Sequence, residues 1–407
     1  MEPTLPFDIL VSIVDLLAGG EDGNIKSLQI LSQTCKLMVP LCRKHLFSSI
    51  HLLDRYKSKS KRFNELLSHN PDIAHYVKRL DYMFYNPIGD HELKILETLK
   101  EGSPLQSIAL RSLAVEWKDY PEAMRSSLVS MIQLPTVTQL SIQSFKGFPA
   151  AVLSYCSNLV DLQLRGSLQM APPEDNLSIS RSKIPALVSL SVADTAYDSL
   201  ALLLNSASLR ECATIVDFSH LQRASFDVDS PGRIIELIKV TKRLEYFYIC
   251  LVNMPTGLTG IGATLAINAY HTLESLEVYL DIEGDDYDPL CGLSHELKFL
   301  TGKNVLKELK LDVMISNPER PCRTDSEDWS ALDSVLTESG AFPMLRQVSI
   351  NISWFSMCGI EVPFEQLKED KFPRLMESKV VQFRLSAQID DCCTGLGPSY
   401  VRCNNPQ

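Results

Sequence analysis

From about residue 77 onward the chain repeats one short hydrophobic phrase, apolar at its first, fourth and sixth positions with mainly polar residues between. It reads LVDLQL at 159, LVSLSV at 187, LEYFYI at 244, LESLEV at 273, LKELKL at 306 and LRQVSI at 345, with related forms VKRLDY at 77, LQSIAL at 105, VTQLSI at 137, LQRASF at 221 and VVQFRL at 380. Alternation with a period of two predicts a strand buried on one face. Between the phrases lie amphipathic segments that start near Ser, Asp, Gly or Pro, such as FPAAVLSYCSN, AYDSLALLLNSAS, SPGRIIELIKVTKR and DWSALDSVLTESGAFP. Their apolar residues recur at helical spacing, as at Ile234, Leu237 and Ile238, and predict helices. The fourth positions of the phrase fall at 80, 108, 140, 162, 190, 224, 247, 276, 309, 348 and 383, so the interval runs from 22 (140 to 162) to 39 (309 to 348). The pattern is a strand-plus-helix repeat with insertions.

Such units stack into a curved array, because neighbouring strands sit about 4.8 Å apart whereas packed helices need about 8–10 Å. The phrase leucines point inward, so the residues beside them face the open side: Arg111, Gln143, Arg165, Ser191, Asp227, Tyr246, Tyr248, Glu277, Tyr279 and Asp312. Arg111, Arg165, Tyr246, Tyr248, Glu277 and Tyr279 are the candidate target-binding residues. The three tyrosines come from adjacent strands and are expected to form one aromatic patch of the kind that anchors interfaces. Strand propensity alone also accounts for them. A doubly wound α/β enzyme is the competing architecture, but its strands read as continuous apolar runs rather than alternating ones.

The first fifty residues follow a different pattern. LPFDILVSIVDLL places Ile9, Leu10, Ile13, Leu16 and Leu17 on one face of a helix that Pro6 starts and the Gly19-Gly20 to Gly23 segment ends. A second apolar set follows at Leu28, Leu31, Cys35, Leu41 and Leu46. Three short helices cannot bury this much apolar surface by themselves, so something else is expected to cover them. The basic run Arg55–Arg62 reads as a solvated linker and helix start, with a nuclear-localisation patch or polyanion contact as its alternative. RFNELLSHNPDIAHYV continues with helical periodicity through Phe63, Leu66 and Leu67.

Composition narrows the function classes. A chain of 407 residues has room for a small domain beside a large one or for an extended array, and 45% hydrophobic with 22% charged residues is an ordinary globular balance. No apolar run reaches the roughly 18 residues a membrane span needs, and the acidic interruptions at Glu2, Asp8 and Asp15 do not suit a secretory signal. The net charge of −11 opposes broad attraction to nucleic acid. Eleven scattered cysteines without a C-x-x-C pair suggest neither a disulfide framework nor a zinc site, and fit a reducing compartment.

Several fragments imitate catalytic motifs. Gly260-Ile261-Gly262 follows a predicted strand as a dinucleotide loop does, but Leu265 takes the third glycine position, and a plain loop is the better reading. His295-Glu296 has Phe299 where a second zinc ligand belongs. The acidic run Asp281–Asp288 lacks the terminal Glu of a calcium loop and reads as a solvated insertion. Cys392, Cys393 and Cys403 stand without a nearby histidine.

Two resemblances organise these readings. The phrase L-x-x-L-x-L at this period resembles the leucine-rich-repeat family over roughly 77–385. Ser167, Thr195 and Met314 stand where that family places Asn or Cys, so the solenoid is expected to be irregular. Residues 5–50 resemble an F-box through Leu5-Pro6, Asp8, Ile9-Leu10, Ile13, the set Leu28, Leu31, Ser32, Cys35 and Leu41, and His45-Leu46-Phe47 to Ile50. Leu37-Met38 replaces that module's common tryptophan region, and GGEDGN lengthens its first interhelical loop.

Together they imply an α/β chain: a three-helix F-box (1–52), a basic linker and first solenoid helix (53–76), an irregular leucine-rich-repeat solenoid (77–388) shaped as a horseshoe with a parallel sheet on its concave face, and a flexible tail (389–407). The implied function is that of a non-catalytic substrate-recognition subunit of a Skp-cullin-F-box ubiquitin ligase, without cofactor or metal, in cytoplasm or nucleus. Adaptor contacts are expected at Leu5, Pro6, Ile9, Leu10, Ile13, Leu28, Leu31, Ser32, Cys35 and Leu41. The partners would be the Skp-type adaptor, through it cullin, and an unknown protein substrate. The alternative is a leucine-rich-repeat scaffold unrelated to ubiquitin, its N-terminal helices capping the array.

Overall fold

A computed structural model describes residues 6–19, 25–52, 58–84, 90–113, 115–172, 184–193, 196–208, 215–228, 231–252, 257–282, 289–315, 327–356 and 364–391. The chain forms two compact units, one of Met1–Ala186 with Asn205–Asp217, the other of Leu187–Leu204 with Phe218–Gln407. Each is an α/β assembly built on parallel strands.

The first unit opens with three helices, α1 (Phe7–Ala18), α2 (Ile25–Thr34) and α3 (Met38–Leu46). It continues through β1 (Ser49–Leu52), α4 (Ser58–His69), β2 (Arg79–Phe84), α5 (Asp90–Gly102), β3 (Ser107–Ser112), α6 (Glu122–Ile132), β4 (Gln139–Gln143), β5 (Lys146–Pro149), β6 (Asp161–Arg165) and β7 (Gln169–Ala171). The second contains β8 (Ser189–Val192), most of α7 (Tyr197–Ser208), β9 (Arg223–Val228), α8 (Gly232–Val240), β10 (Tyr246–Val252), α9 (Ile261–Asn268), β11 (Ser275–Ile282), α10 (Leu293–Phe299) and β12 (Glu308–Ile315). It ends with α11 (Glu327–Thr337), β13 (Gln347–Ser356), α12 (Phe364–Lys371), α13 (Pro373–Glu377) and β14 (Gln382–Asp391).

Every phrase named above forms a strand. The fourth positions fall in register: Leu80, Ile108, Leu140 and Leu162 pair side by side in the first unit. Leu190, Ala224, Phe247, Leu276, Leu309, Val348 and Phe383 do so in the second. A one-residue slip would turn each apolar set to the wrong side, so burial of that column fixes the alignment. Strand order is β1-β2-β3-β4-β6 in one unit and β8 through β14 in the other, which is chain order. Neither run contains the reversal that makes a doubly wound sheet's ligand crevice.

The sheet begins earlier than the phrases suggest. Phe47-Ser48-Ser49-Ile50-His51-Leu52 follows the same spacing, and Ile50 pairs with Leu80. The boundary expected at residue 52 therefore cuts behind a strand of the sheet, and the array does not start at 77. At the other end β14 runs to Asp391, so residues 389–391 are strand, while Cys392, Cys393 and Cys403 lie outside the described residues. The segment before Leu159 is a 3₁₀ turn, Ala150–Tyr155, rather than an α-helix.

The small pair β5–β7 is a further departure. It belongs with an aromatic cluster in which Phe84, Trp117, Tyr120, Phe145 and Phe148 meet at ring-centroid distances of 5.0–6.1 Å. These rings fill space beyond the strand ends by apolar packing.

Helices complete the core. In α5, Ile95, Leu96 and Leu99 are wholly buried, and in α8 Ile234, Leu237 and Ile238 are buried. Two buried carboxylates tie helix starts to neighbouring helices. Glu296 of α10 accepts from the Gly260 and Gly262 amides at 3.0 and 2.7 Å, at the start of α9. Asp333 of α11 accepts from the Arg374 and Leu375 amides at 3.2 and 2.9 Å, at the start of α13. Both satisfy N–H groups that a helix start leaves unpaired. Gly262 must be glycine, since a Cβ there would lie 2.1 Å from the Glu296 carbonyl oxygen.

Candidate functional site

The three N-terminal helices form a satellite core of their own. Val14, Leu28, Met38 and Cys42 are buried at its centre, with Leu10, Leu17, Ala18, Leu31, Leu41 and Leu46 packed against them. His45 Nε2 lies 2.7 Å from Asp15 Oδ1 and links α3 to α1.

This packing divides α1 lengthwise. At about 100° per residue, Leu10, Val14 and Leu17 make one stripe and Ile9, Ile13 and Leu16 a second beside it. The first stripe faces the satellite core, with Val14 only 1% exposed. The second faces outward: Ile9 is 45%, Ile13 38% and Leu16 78% exposed. Phe7, Ile25, Ile30 and Leu37 add further exposed apolar surface to the same three-helix segment. Scattered apolar residues need no explanation; Ile9, Ile13 and Leu16 are aligned on one helix.

The expected adaptor residues are therefore split. Pro6, Ile9, Ile13 and Cys35 are exposed; Leu10, Leu31, Ser32 and Leu41 are half-buried. Leu28 is only 3% exposed and belongs to the satellite core. Leu5 lies outside the described residues. Leu16, which periodicity places on the same helix face, is the most exposed member of the stripe.

The second candidate surface is the face of the parallel strands opposite the buried columns. All ten residues assigned to it by alternation lie on it. In the first unit Arg111, Gln143 and Arg165 form one column. Arg111 makes a bidentate pair with Asp81, donating from Nε at 3.1 Å and from an Nη at 2.9 Å. The Arg165 Nε is buried and has no hydrogen-bond partner among the described residues.

In the second unit, side chains connect across strands β10 to β14. Tyr246 donates to Glu277 at 2.7 Å, Lys310 bridges Glu277 and Asp312, Asn351 donates to Asp312, and Ser386 donates to Asn351. Burial, with the Glu277 hydrogen bond and charge, raises the Tyr246 pKa and keeps the phenol protonated. Desolvation lowers the Lys310 pKa, but bonds to Glu277 and Asp312 outweigh it and raise it overall. Two of the three tyrosines stand apart, with Tyr248 at the register position between them. Tyr246 pairs with Ser275 and Tyr279 with Cys250, so Tyr246 and Tyr279 stand four positions apart along the sheet, roughly 13 Å.

The imitated motifs resolve into structure. Glu296 occupies the anion position at the Gly260-Ile261-Gly262 helix start, and His295 packs its ring against Phe299 at 5.3 Å. Residues 283–288 of the acidic run and residues 55–57 of the basic run lie outside the described residues. Ser58–Arg62 forms the start of α4. Among the described residues no helix is long and apolar enough to cross a membrane. No protein-family model matches the chain, and no curated protein matches it.

Proposed function

We propose that this chain is a substrate receptor of a Skp-cullin-F-box ubiquitin ligase: α1–α3 are the F-box, and the strand-helix repeats are an irregular leucine-rich-repeat solenoid that holds a protein target. The observation that carries the adaptor half is the exposed Ile9–Ile13–Leu16 stripe on a helix whose other stripe already has its own core. Covering such side chains is worth roughly 1.5–3 kcal/mol each, enough for a few of them to anchor an interface. The solenoid half is supported by parallel strands in chain order, aligned on one apolar column per unit. The chain would supply no chemistry. It would raise the effective concentration of a target lysine near a ubiquitin-charged enzyme brought by other subunits.

One observation favours the second reading, a capped scaffold without a ligase role: α3 runs straight into β1, which pairs with β2 as the edge of the sheet. Terminal caps of repeat arrays sit in that position. Co-expression with a Skp-type adaptor separates the two. The receptor reading expects a stoichiometric complex that Ile9→Asp plus Ile13→Asp abolishes while the melting curve of the isolated chain stays in place. Failure of the wild-type chain to bind the adaptor leaves the capped scaffold.

A further inference from the structure

The second unit carries a depression of about 310 Å³ on the open strand face. Tyr279, Asp312, Asn351 and Ser386 line it from one register column across β11 to β14, and Met314 with Ser353 from the next column. We infer that this depression is a subsite for an arginine side chain of the bound target, which deepens the target-binding half of the proposed function and rests on it.

Hydrogen-bond direction gives the chemistry. Asn351 turns an amide N–H toward Asp312, Ser386 turns its hydroxyl toward the Asn351 carbonyl, and Tyr279 turns its hydroxyl toward the Met314 sulfur at 3.2 Å. Three donors of the lining are thus turned toward neighbouring side chains, and the Asp312 carboxylate is its charged acceptor. An ionised carboxylate has about four acceptor sites, and Asp312 commits one oxygen to Asn351 and the other to Lys310 at 3.0 Å, leaving capacity on each. A ligand suited to this lining must donate several hydrogen bonds.

Charge points the same way. Among the described residues no Lys or Arg lines the depression. The basic residues nearest in register, Lys310 and Arg384, stand in the preceding column, and Lys310 is already shared between Glu277 and Asp312. Asp281 stands beside Met314. Tyr279 and Met314 add an aromatic ring and a thioether, the surfaces on which a guanidinium plane lies well. A planar group with five N–H donors suits a row of oxygens spaced at strand separation better than a compact ammonium does. Four neighbouring strands span roughly 14 Å, ample for one extended arginine side chain.

Met314 provides a reporter. The full chain labelled with ¹³C-methyl methionine would be titrated with N-acetyl-arginine amide and with the uncharged isostere N-acetyl-citrulline amide, the Met314 signal being assigned through Met314→Leu. The expected result is a saturable Met314 shift with the arginine derivative, at least tenfold weaker with citrulline, and at least tenfold weakened by Asp312→Asn. Ser353→Lys, which supplies a tethered cation, should abolish it in a chain of unchanged melting temperature. An unmoved Met314 signal, equal responses to the two ligands, or a response that survives Asp312→Asn overturns the inference. Adaptor capture by α1–α3 is read separately, so loss of one result with retention of the other shows which reading failed.

Discussion

α1 and α5 belong to the same unit and have similar lengths, 12 and 13 residues, but their apolar faces meet different fates. α5 carries a narrow stripe, and Ile95, Leu96 and Leu99 vanish completely into the sheet-helix core. α1 is apolar around more than half of its circumference, and its small bundle covers only the Leu10–Val14–Leu17 side. α5 has just enough hydrophobic width for its slot. The N-terminal helix has more width than its own neighbours can use, and the excess is aligned.

This contrast can be broken by substitution. The largest expected effect is at the outward stripe: Ile9→Asp plus Ile13→Asp should weaken adaptor binding about 1000-fold, from two anchors of about 2 kcal/mol each, measured by titration calorimetry. The same pair should move the urea midpoint by no more than about 0.5 kcal/mol of stability, as exposed positions do. Val14→Asp, one residue further and on the inward stripe, should collapse the bundle. If inward and outward aspartates unfold the chain alike, the division of α1 is wrong.

Within the array, Leu96→Ala should cost about 3 kcal/mol in urea unfolding, against less than about 0.5 kcal/mol for Leu16→Ala. Glu296→Ala should cost about 2 kcal/mol by leaving the Gly260 and Gly262 amides unsatisfied, with faster hydrogen exchange at those two amides as its local signature. The smallest effect concerns thiols. Burial pushes the Cys156 pKa up to about 12, so this thiol should resist iodoacetamide at pH 8 with or without a partner. Cys35 is exposed on the three-helix segment and should react readily, then slow about tenfold once the adaptor is bound. Equal labelling of Cys35 in the free and bound chain would place the contact elsewhere.

The repeat was legible because two signals coincided: a period-two phrase and a helical segment between phrases. Register followed at no extra cost, since only one alignment buries every fourth position. β1 escaped because Phe47-Ser48-Ser49-Ile50-His51-Leu52 also ends a run of helices, and the neighbouring pattern claimed it. β5 and β7 escaped because strands of four and three residues are too short to show alternation. In α1, periodicity marked the apolar arc but not its division, because nothing local says which half of a wide arc meets α2 and α3. The same blindness placed Leu28 on the contact surface. Its spacing is equally that of a core residue, and only the packing around Val14 and Cys42 decides. On the strand face, alternation picked the right side chains. Their pairing into the Tyr246-to-Ser386 chain of hydrogen bonds depended on residues 31 to 39 positions apart, beyond any short window.

The Glu296 contact also bears on synthesis of the chain. The Gly260 amide is served by a carboxylate that lies 36 residues ahead of it in the sequence. At about 5–20 residues per second of translation, that acceptor leaves the ribosome roughly two to seven seconds after its donor. During the interval the start of α9 has water in place of its final partner. The start of α13 meets no such delay, since Asp333 precedes the Arg374 and Leu375 amides in the chain.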